Sequence, residues 1–324
     1  MESSLWLQTL GKSAYQAIAL HGKKLSKRQA ELYQSESIHQ MRVELRRLGS
    51  AIQLFAPALK LPNSCQPKQL RKIGRHLGAV RDLDILLNHL HQNYLPILPS
   101  SEAETLKGVT SQLEQQRHKA LGELKQALKN DTYQATLQGL NDWLEQPKFR
   151  AIADIPLAYA FPTLLLPLLS QLLMHPGWFV GVDLTAHQFL AIDHNYLTAH
   201  QIELHDLRKN IKQVRYQAEF FLEFYGDEFA QQVQNFAKAQ NFLGFIQDRF
   251  VLEQSLSHHL KQDLTTTLPH FAAILNQHQL EDWQSWQMLQ QNYLNPQARN
   301  LLYQAMVTPK LEPLLAIDRC LDAK

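Results

Sequence analysis

Two stretches of this chain repeat one another at a fixed distance of 166 residues. "IHQMRVELRRLGSAIQLF" (38–55) lies over "LHDLRKNIKQVRYQAEFF" (204–221), pairing His39 with His205, Arg42 with Arg208, Arg46 with Lys212 and Phe55 with Phe221. A second block keeps the same offset without a gap. "LGAVRDLDILLNHL" (77–90) lies over "LGFIQDRFVLEQSL" (243–256), matching Leu77, Gly78, Asp82, Leu86 and Leu90 to Leu243, Gly244, Asp248, Leu252 and Leu256. Chance similarity between amphipathic helices accounts for the apolar matches, but not for the shared His, Arg, Gly and Asp. Two blocks with one offset imply a duplicated unit.

The repeated unit reads as helix. Ile38, Met41, Leu45, Leu48, Ile52 and Phe55 are spaced 3, 4, 3, 4, 3, and Leu204, Leu207, Ile211, Val214, Ala218 and Phe221 repeat that spacing, which is one stripe of a helix. Ser37, with Gln40 three residues on, reads as a capping box at the start of the first copy. The runs 102–143 and 195–225 read as further helix. Only 12 of 324 residues are glycine. The prolines fall in groups (Pro57, Pro62, Pro67; Pro96, Pro99; Pro156, Pro162, Pro167, Pro176), which reads as punctuation between helices. The expectation is an all-α fold of two similar helical bundles related by a pseudo-twofold internal repeat. The first bundle covers 1–150, a proline-punctuated connector 151–185, and the second bundle 186–324.

The most apolar stretch, "FPTLLLPLLSQLLM" (161–174), is too short to span a bilayer and reads as a buried part of the connector. The first twenty residues lack the basic, apolar and small-residue regions of an export signal. Cys65 and Cys320 have no metal-ligand or CxxC spacing and read as free thiols. These features lead to the expectation of a cytoplasmic protein with no membrane association.

A formal net charge of +2 predicts no polyanion by itself. Its distribution does more: between Ile38 and Arg81 nine basic residues stand against one acid, Glu44. His39, Arg42 and Arg46, and likewise His205, Arg208, Lys212 and Arg215, each follow a core position by one residue. At about 100° per residue this sets them on a stripe bordering the buried one. Arg71, Arg75, Gly78 and Asp82, spaced 4, 3, 4, make another such stripe. Cations bordering a core repel one another unless an anion lies among them, and Asp82 and Asp248 neutralise only part of the charge. Arginine offers a planar two-bond fork to phosphate, and lysine adds point charge. The histidines can donate to phosphate when protonated or anchor a helix when neutral. Gly78 and Gly244 read as sites of close helix approach, and Asp82 and Asp248 as orienting neighbouring arginines.

The segments "IHQMRVELRRLGSAIQLF", "LGAVRDLDIL" and "LHDLRKNIKQVRYQAEFF" resemble the signature segments of the CHAD family, the conserved histidine α-helical domain, over nearly the whole chain. The resemblance implies a pair of pseudo-symmetric bundles whose basic central surface binds inorganic polyphosphate, with no catalysis, cofactor or metal. The candidate binding residues are His39, Arg42, Arg46, Arg47, Arg71, Lys72, Arg75 and Arg81 in the first copy. In the second they are His205, Arg208, Lys209, Lys212, Arg215, Tyr216 and Lys238. Gly49 stands where the first motif usually continues with arginine, and Asn210 interrupts the second basic run. Asn241 and Gln247 replace the counterparts of Arg75 and Arg81, leaving Lys238 opposite Lys72. The first copy is therefore expected to carry more of the charge. The ExExK motif of the triphosphate-tunnel domain often joined to this family does not occur, so the chain reads as a standalone binding domain. Polyphosphate granules or polyphosphate-processing enzymes are its expected associates.

Other classes stay open at this point. His205 and Asp206, with His194 and His200 upstream, invite comparison with metal-dependent phosphohydrolases, although spacing alone identifies no ligand set. No P-loop or nucleophile elbow is present. Nonspecific nucleic-acid binding would exploit the same cations, yet aromatic stacking platforms are not interleaved with them, Tyr216 apart. A purely structural helical scaffold explains the seams and leaves the duplicated cationic border without a purpose.

Overall fold

The computed structural model describes residues 8–30 and 35–309, and Cys320 lies outside them. Helix follows helix: α1 (Leu10–Ala30), α2 (Ser35–Leu54), α3 (Pro67–His89), α4 (Ser100–Lys129), α5 (Asp131–Glu145) and α6 (Leu157–Leu173). Then come α7 (His194–Ala199), α8 (Gln201–Ala218), α9 (Asp227–Leu260), α10 (Leu264–Thr267), α11 (Pro269–Leu294) and α12 (Pro296–Val307). A small antiparallel hairpin, β1 (Val182–Asp183) with β2 (Gln188–Phe189), sits before α7. The all-α expectation holds, and no helix among the described residues is long and apolar enough to cross a membrane.

The stripe read from spacing is the seam of the core. All twelve positions named for α2, α8 and the residues just after them are buried. At about 1.5–3 kcal/mol per fully buried large apolar side chain, this seam is a leading contribution to stability. Phe55, after the end of α2, meets Phe220 and Phe221 edge-on, so the repeated segments pack against one another at their aromatic ends. A second apolar cluster joins Leu86, Leu90 and Tyr94 to Leu106, Val109 and Leu113 of α4. Its other side is Leu252 and Leu256 of α9 with Leu268, Phe271 and Leu275. Both clusters therefore draw on the early and the late parts of the chain.

Local details depart from the sequence reading. Ser37 is buried within α2, which begins at Ser35, so it caps nothing in the expected box; Gln40 donates instead to Glu36 at 2.8 Å. The run 102–143 is broken at Asn130, whose side chain caps α5 by accepting from Thr132 N at 2.8 Å. The run 195–225 is divided at His200 and ends in a 3-10 segment, Glu219–Phe224. Pro67, Pro269 and Pro296 do open helices, where a missing N–H costs nothing. Pro162 and Pro167, however, lie inside α6. An interior proline costs about 3 kcal/mol, and burial of Phe161, Leu165, Leu169 and Leu172 on the same helix outweighs it.

One carboxylate ties distant parts of the chain together. Glu102 on α4 is 5% exposed. It accepts from the His270 and Phe271 backbone N–H groups at the start of α11, each at 2.9 Å, and pairs with His270 Nδ1 at 2.7 Å. Those N–H groups have no partner within α11, and a side chain 168 residues away supplies it.

Candidate cationic groove

The flanking stripe of α2 faces α3 and α8 across a groove of about 970 Å³. Arg42 and Arg46 contribute from α2, Lys68, Arg71, Lys72 and Arg75 from α3, and Lys209, Lys212 and Tyr216 from α8. The spacing 68, 71/72, 75 keeps the α3 cations on one face. Among the described lining residues, Asp82 is the single carboxylate against eight basic side chains. Arg42 Nη1 holds it at 3.1 Å, which bears out the orienting role read for Asp82.

A smaller cavity of about 360 Å³ adjoins the groove and shares Arg42, Asp82, Lys209 and Lys212 with it. Its further wall is His89 of α3, His205 and Arg208 of α8, and Gln247 and Asp248 of α9. Arg208 donates through Nε to the Gln240 carbonyl at 3.4 Å. Among the described residues Asp248 makes no ion pair with it, and the two interact across the cavity.

The paired glycines act differently from the expectation. A Cβ on Gly78 would come within 2.8 Å of Arg42 Nη1, and one on Gly244 within 3.0 Å of Arg208 Nη2. Each glycine makes room for a guanidinium, not for a neighbouring backbone. The two contacts are separated by the same 166 residues as the motifs.

Electrostatics follow from crowding. Burial first, then Arg46, Arg208 and Arg42, pull the Lys212 ammonium down to about 7, with Asp82 opposing weakly. Burial also lowers His205, helped by Lys209, Arg208 and Lys212, and lowers His39, helped by Arg81. Both imidazoles are thus disposed to neutrality, and His205 Nδ1 is buried without a protein partner. Burial raises Asp248 above the usual carboxylate range, while Arg208 and His89 act in the opposite sense.

Some candidates stand outside both cavities. Arg47 and Arg215 share Glu219: Arg47 Nη2 lies 3.3 Å from it, and Arg215 Nη1 pairs with its other oxygen. They clamp α2 to the end of α8. His39 sits beside Arg81, and Lys238 is exposed on α9. Tyr216, by contrast, lines the groove and is held among cations, its hydroxyl accepting from Arg46 Nη1 at 2.8 Å and its ring lying 4.2 Å from the Arg215 guanidinium carbon. Conversely, Lys68, Gln213 and His89 line the site although sequence reasoning left them out. Lys68 was findable as the residue one turn ahead of Arg71 and Lys72.

Gly49 lines the groove with open space where a Cβ would be. Helix-interior glycine costs about 0.5–1 kcal/mol against alanine, so Gly49→Ala is expected to raise the unfolding free energy by about that amount in a urea titration. Gly49→Arg should fold as well and add a groove cation.

The histidines of the alternative metal reading do not converge. His194 lies 3.3 Å from Glu253, and His200 stacks on Tyr196. Among the described residues no group of three or more His, Cys, Asp or Glu side chains is placed to hold a metal ion.

The fold and groove define an all-α protein with a long cationic furrow between helices. A model of the CHAD domain matches residues 16–257, and the chain belongs to the CHAD domain family. Among solved structures it resembles the CHAD domain from the plant Ricinus communis, at 21% identity over 94% of this chain and 95% of that one, with a TM-score of 0.59. It also resembles PptA from Streptomyces chartreusis, at 16% identity over 88% of this chain and 99% of that one, with a TM-score of 0.61. At these identities the likeness is one of fold. A search of curated proteins found no match.

Proposed function

We propose that this chain binds inorganic polyphosphate in the α2/α3/α8 groove without catalysing a reaction on it. The observation that carries the reading is the lining itself: eight basic side chains from three helices and one carboxylate, already engaged by Arg42. A flexible polyanion repeating one charged unit suits such a row, because no single pocket must fit its shape. The Arg42 and Arg208 placements over Gly78 and Gly244 support the reading of two bundles, 1–150 and 186–324, related by duplication about a connector at 151–185. The charge is unequal, since α9 offers Asn241 and Gln247 where α3 has Arg75 and Arg81. A cytoplasmic role alongside polyphosphate granules or polyphosphate-processing enzymes follows from the ligand.

The test is affinity for long-chain polyphosphate across a salt series. Counterion release makes log K fall linearly with log salt for nucleic acids, and the same slope is expected here. Arg42→Ala/Arg208→Ala should weaken binding about tenfold or more, at about 1.5–3 kcal/mol for a charge-assisted contact, and single-stranded DNA should displace the ligand poorly. A salt-insensitive affinity, or equal competition by DNA, rejects the reading.

A further inference from the structure

The smaller cavity differs in kind from the groove that leads to it. The groove presents one carboxylate, whereas the cavity presents two, Asp82 and Asp248, facing Arg42, Arg208 and Lys212. Arg42 occupies an oxygen of Asp82. No hydrogen bond or ion pair among the described residues engages Asp248, although it is half-buried. An ionised carboxylate only accepts hydrogen bonds. A negatively charged ligand with no proton to give would meet Asp248 as a like charge in a partly desolvated site.

The phosphoryl groups of a polyphosphate chain are not alike in this respect. Each internal group carries one strongly acidic oxygen and no proton near neutral pH. The terminal group has a second ionisation near neutrality, as a phosphomonoester does at about 6. It therefore exists partly as P–OH, able to donate to a carboxylate while its other oxygens accept from arginine. A site combining guanidinium donors with a carboxylate acceptor selects that group over internal ones, by the penalty an unpaired buried acceptor imposes. The cavity, at 360 Å³ and about 30 Å³ per water, has room for a phosphoryl group with ordered water around it. His205 Nδ1, buried and unpartnered, lies in the same wall.

We infer that the cavity between α3, α8 and α9 is a subsite for the chain end: it receives the terminal, protonated phosphoryl group, with Asp248 accepting its P–OH hydrogen bond and Arg42 and Arg208 holding its anionic oxygens. The inference rests on the polyphosphate reading. It implies a polarity that a uniform cationic groove lacks, since the chain enters past Lys68 and stops at Asp248.

The test compares, at pH 6.5, polyphosphate of one defined short length in two forms, free-ended and with both terminal phosphates blocked as methyl esters, which leave no P–OH or N–H to donate. The free-ended form should bind at least tenfold more tightly to the wild-type protein, and Asp248→Asn should reduce that preference to twofold or less. Equal binding of the two forms overturns the chain-end subsite while leaving groove binding intact. A preference that survives unchanged in Asp248→Asn overturns the assigned acceptor. Absence of binding by either form removes the polyphosphate reading, and the subsite with it.

Discussion

Glu102→Ala is expected to lower the unfolding free energy by about 2–4 kcal/mol. The substitution strands the His270 and Phe271 N–H groups at the start of α11, and each orphaned donor costs about 1–3 kcal/mol where it is buried. Phe271 is fully buried. Glu102→Gln keeps one acceptor oxygen and loses the charge, so it should fall between wild type and alanine. The pH dependence follows from the direction of the shift. Burial pushes this carboxyl up, but the two backbone donors and His270 together hold it below its usual 4.5. A depressed folded-state value means that the stabilisation is fully present above pH 4.5 and is lost as pH falls through the lower folded value. Urea titrations at pH 7 and at successively more acid pH should show the gap between wild type and Glu102→Ala narrowing only below 4.5. A constant gap across that range would exclude ionic capping as its source.

The second large effect is a fall in polyphosphate affinity as pH rises through 7. Lys212 stands at the junction of groove and cavity, faced by Arg42 and Arg46 from α2, Asp82 from α3 and Arg208 from its own helix. With its ammonium brought down to about 7, the free protein sheds this proton within the physiological range. A bound polyanion favours the charged form, so binding recaptures the proton. Affinity for a long chain, where ends are few, should drop about tenfold between pH 6.5 and 8.5, one pKa unit of linkage being 1.36 kcal/mol. Lys212→Arg should flatten this profile and Lys212→Met should flatten it at lower affinity. For folding the slope has the same sign as that of Glu102, because both folded-state values are depressed. The difference is that the charged form is the stabilising one for Glu102 and the destabilising one for Lys212. Between 7 and 10.5 the unfolded chain holds the proton that the folded chain has lost, so the contribution of Lys212 to stability rises with pH across that window. Lys212→Met should therefore stabilise the unliganded protein at pH 6 by about 1–3 kcal/mol. Identical wild-type and Lys212→Met pH profiles would remove Lys212 from this role.

The 3, 4, 3, 4, 3 spacing made the α2 and α8 core legible because a helix has one period and one buried face. The same period put Arg42, Arg46, Arg208 and Lys212 at the border, and Arg71 with Arg75 on a common face of α3. What spacing does not report is which helices meet. Arg215 and Glu219 are four residues apart and could be paired from spacing alone. That Arg47 is drawn to the same carboxylate depends on α2 crossing α8, so a cation that looks like Arg46 in sequence becomes half of a clamp. The smaller cavity is likewise a product of packing, because His89 and Asp248 come from helices that nothing local pairs. Pro162 and Pro167 misled for a related reason: their cost is local, and the burial of Phe161 and Leu165 that offsets it is not. The break at Asn130 was open to recognition, since Asn followed by Asp and Thr is a helix-start signal.

The apolar cluster around Tyr94 closes only when Leu252, Leu256, Phe271 and Leu275 arrive to cover Leu86, Leu90, Leu106 and Leu113. During synthesis the first half leaves the ribosome long before those residues are made. Its α3/α4 surface stays oily and uncovered in that interval, and α11 cannot be capped by Glu102 until its own first turn exists. Nascent chains halted after about residue 150 should therefore be held by chaperones and cut readily by protease, and those carried past about residue 290 released and resistant.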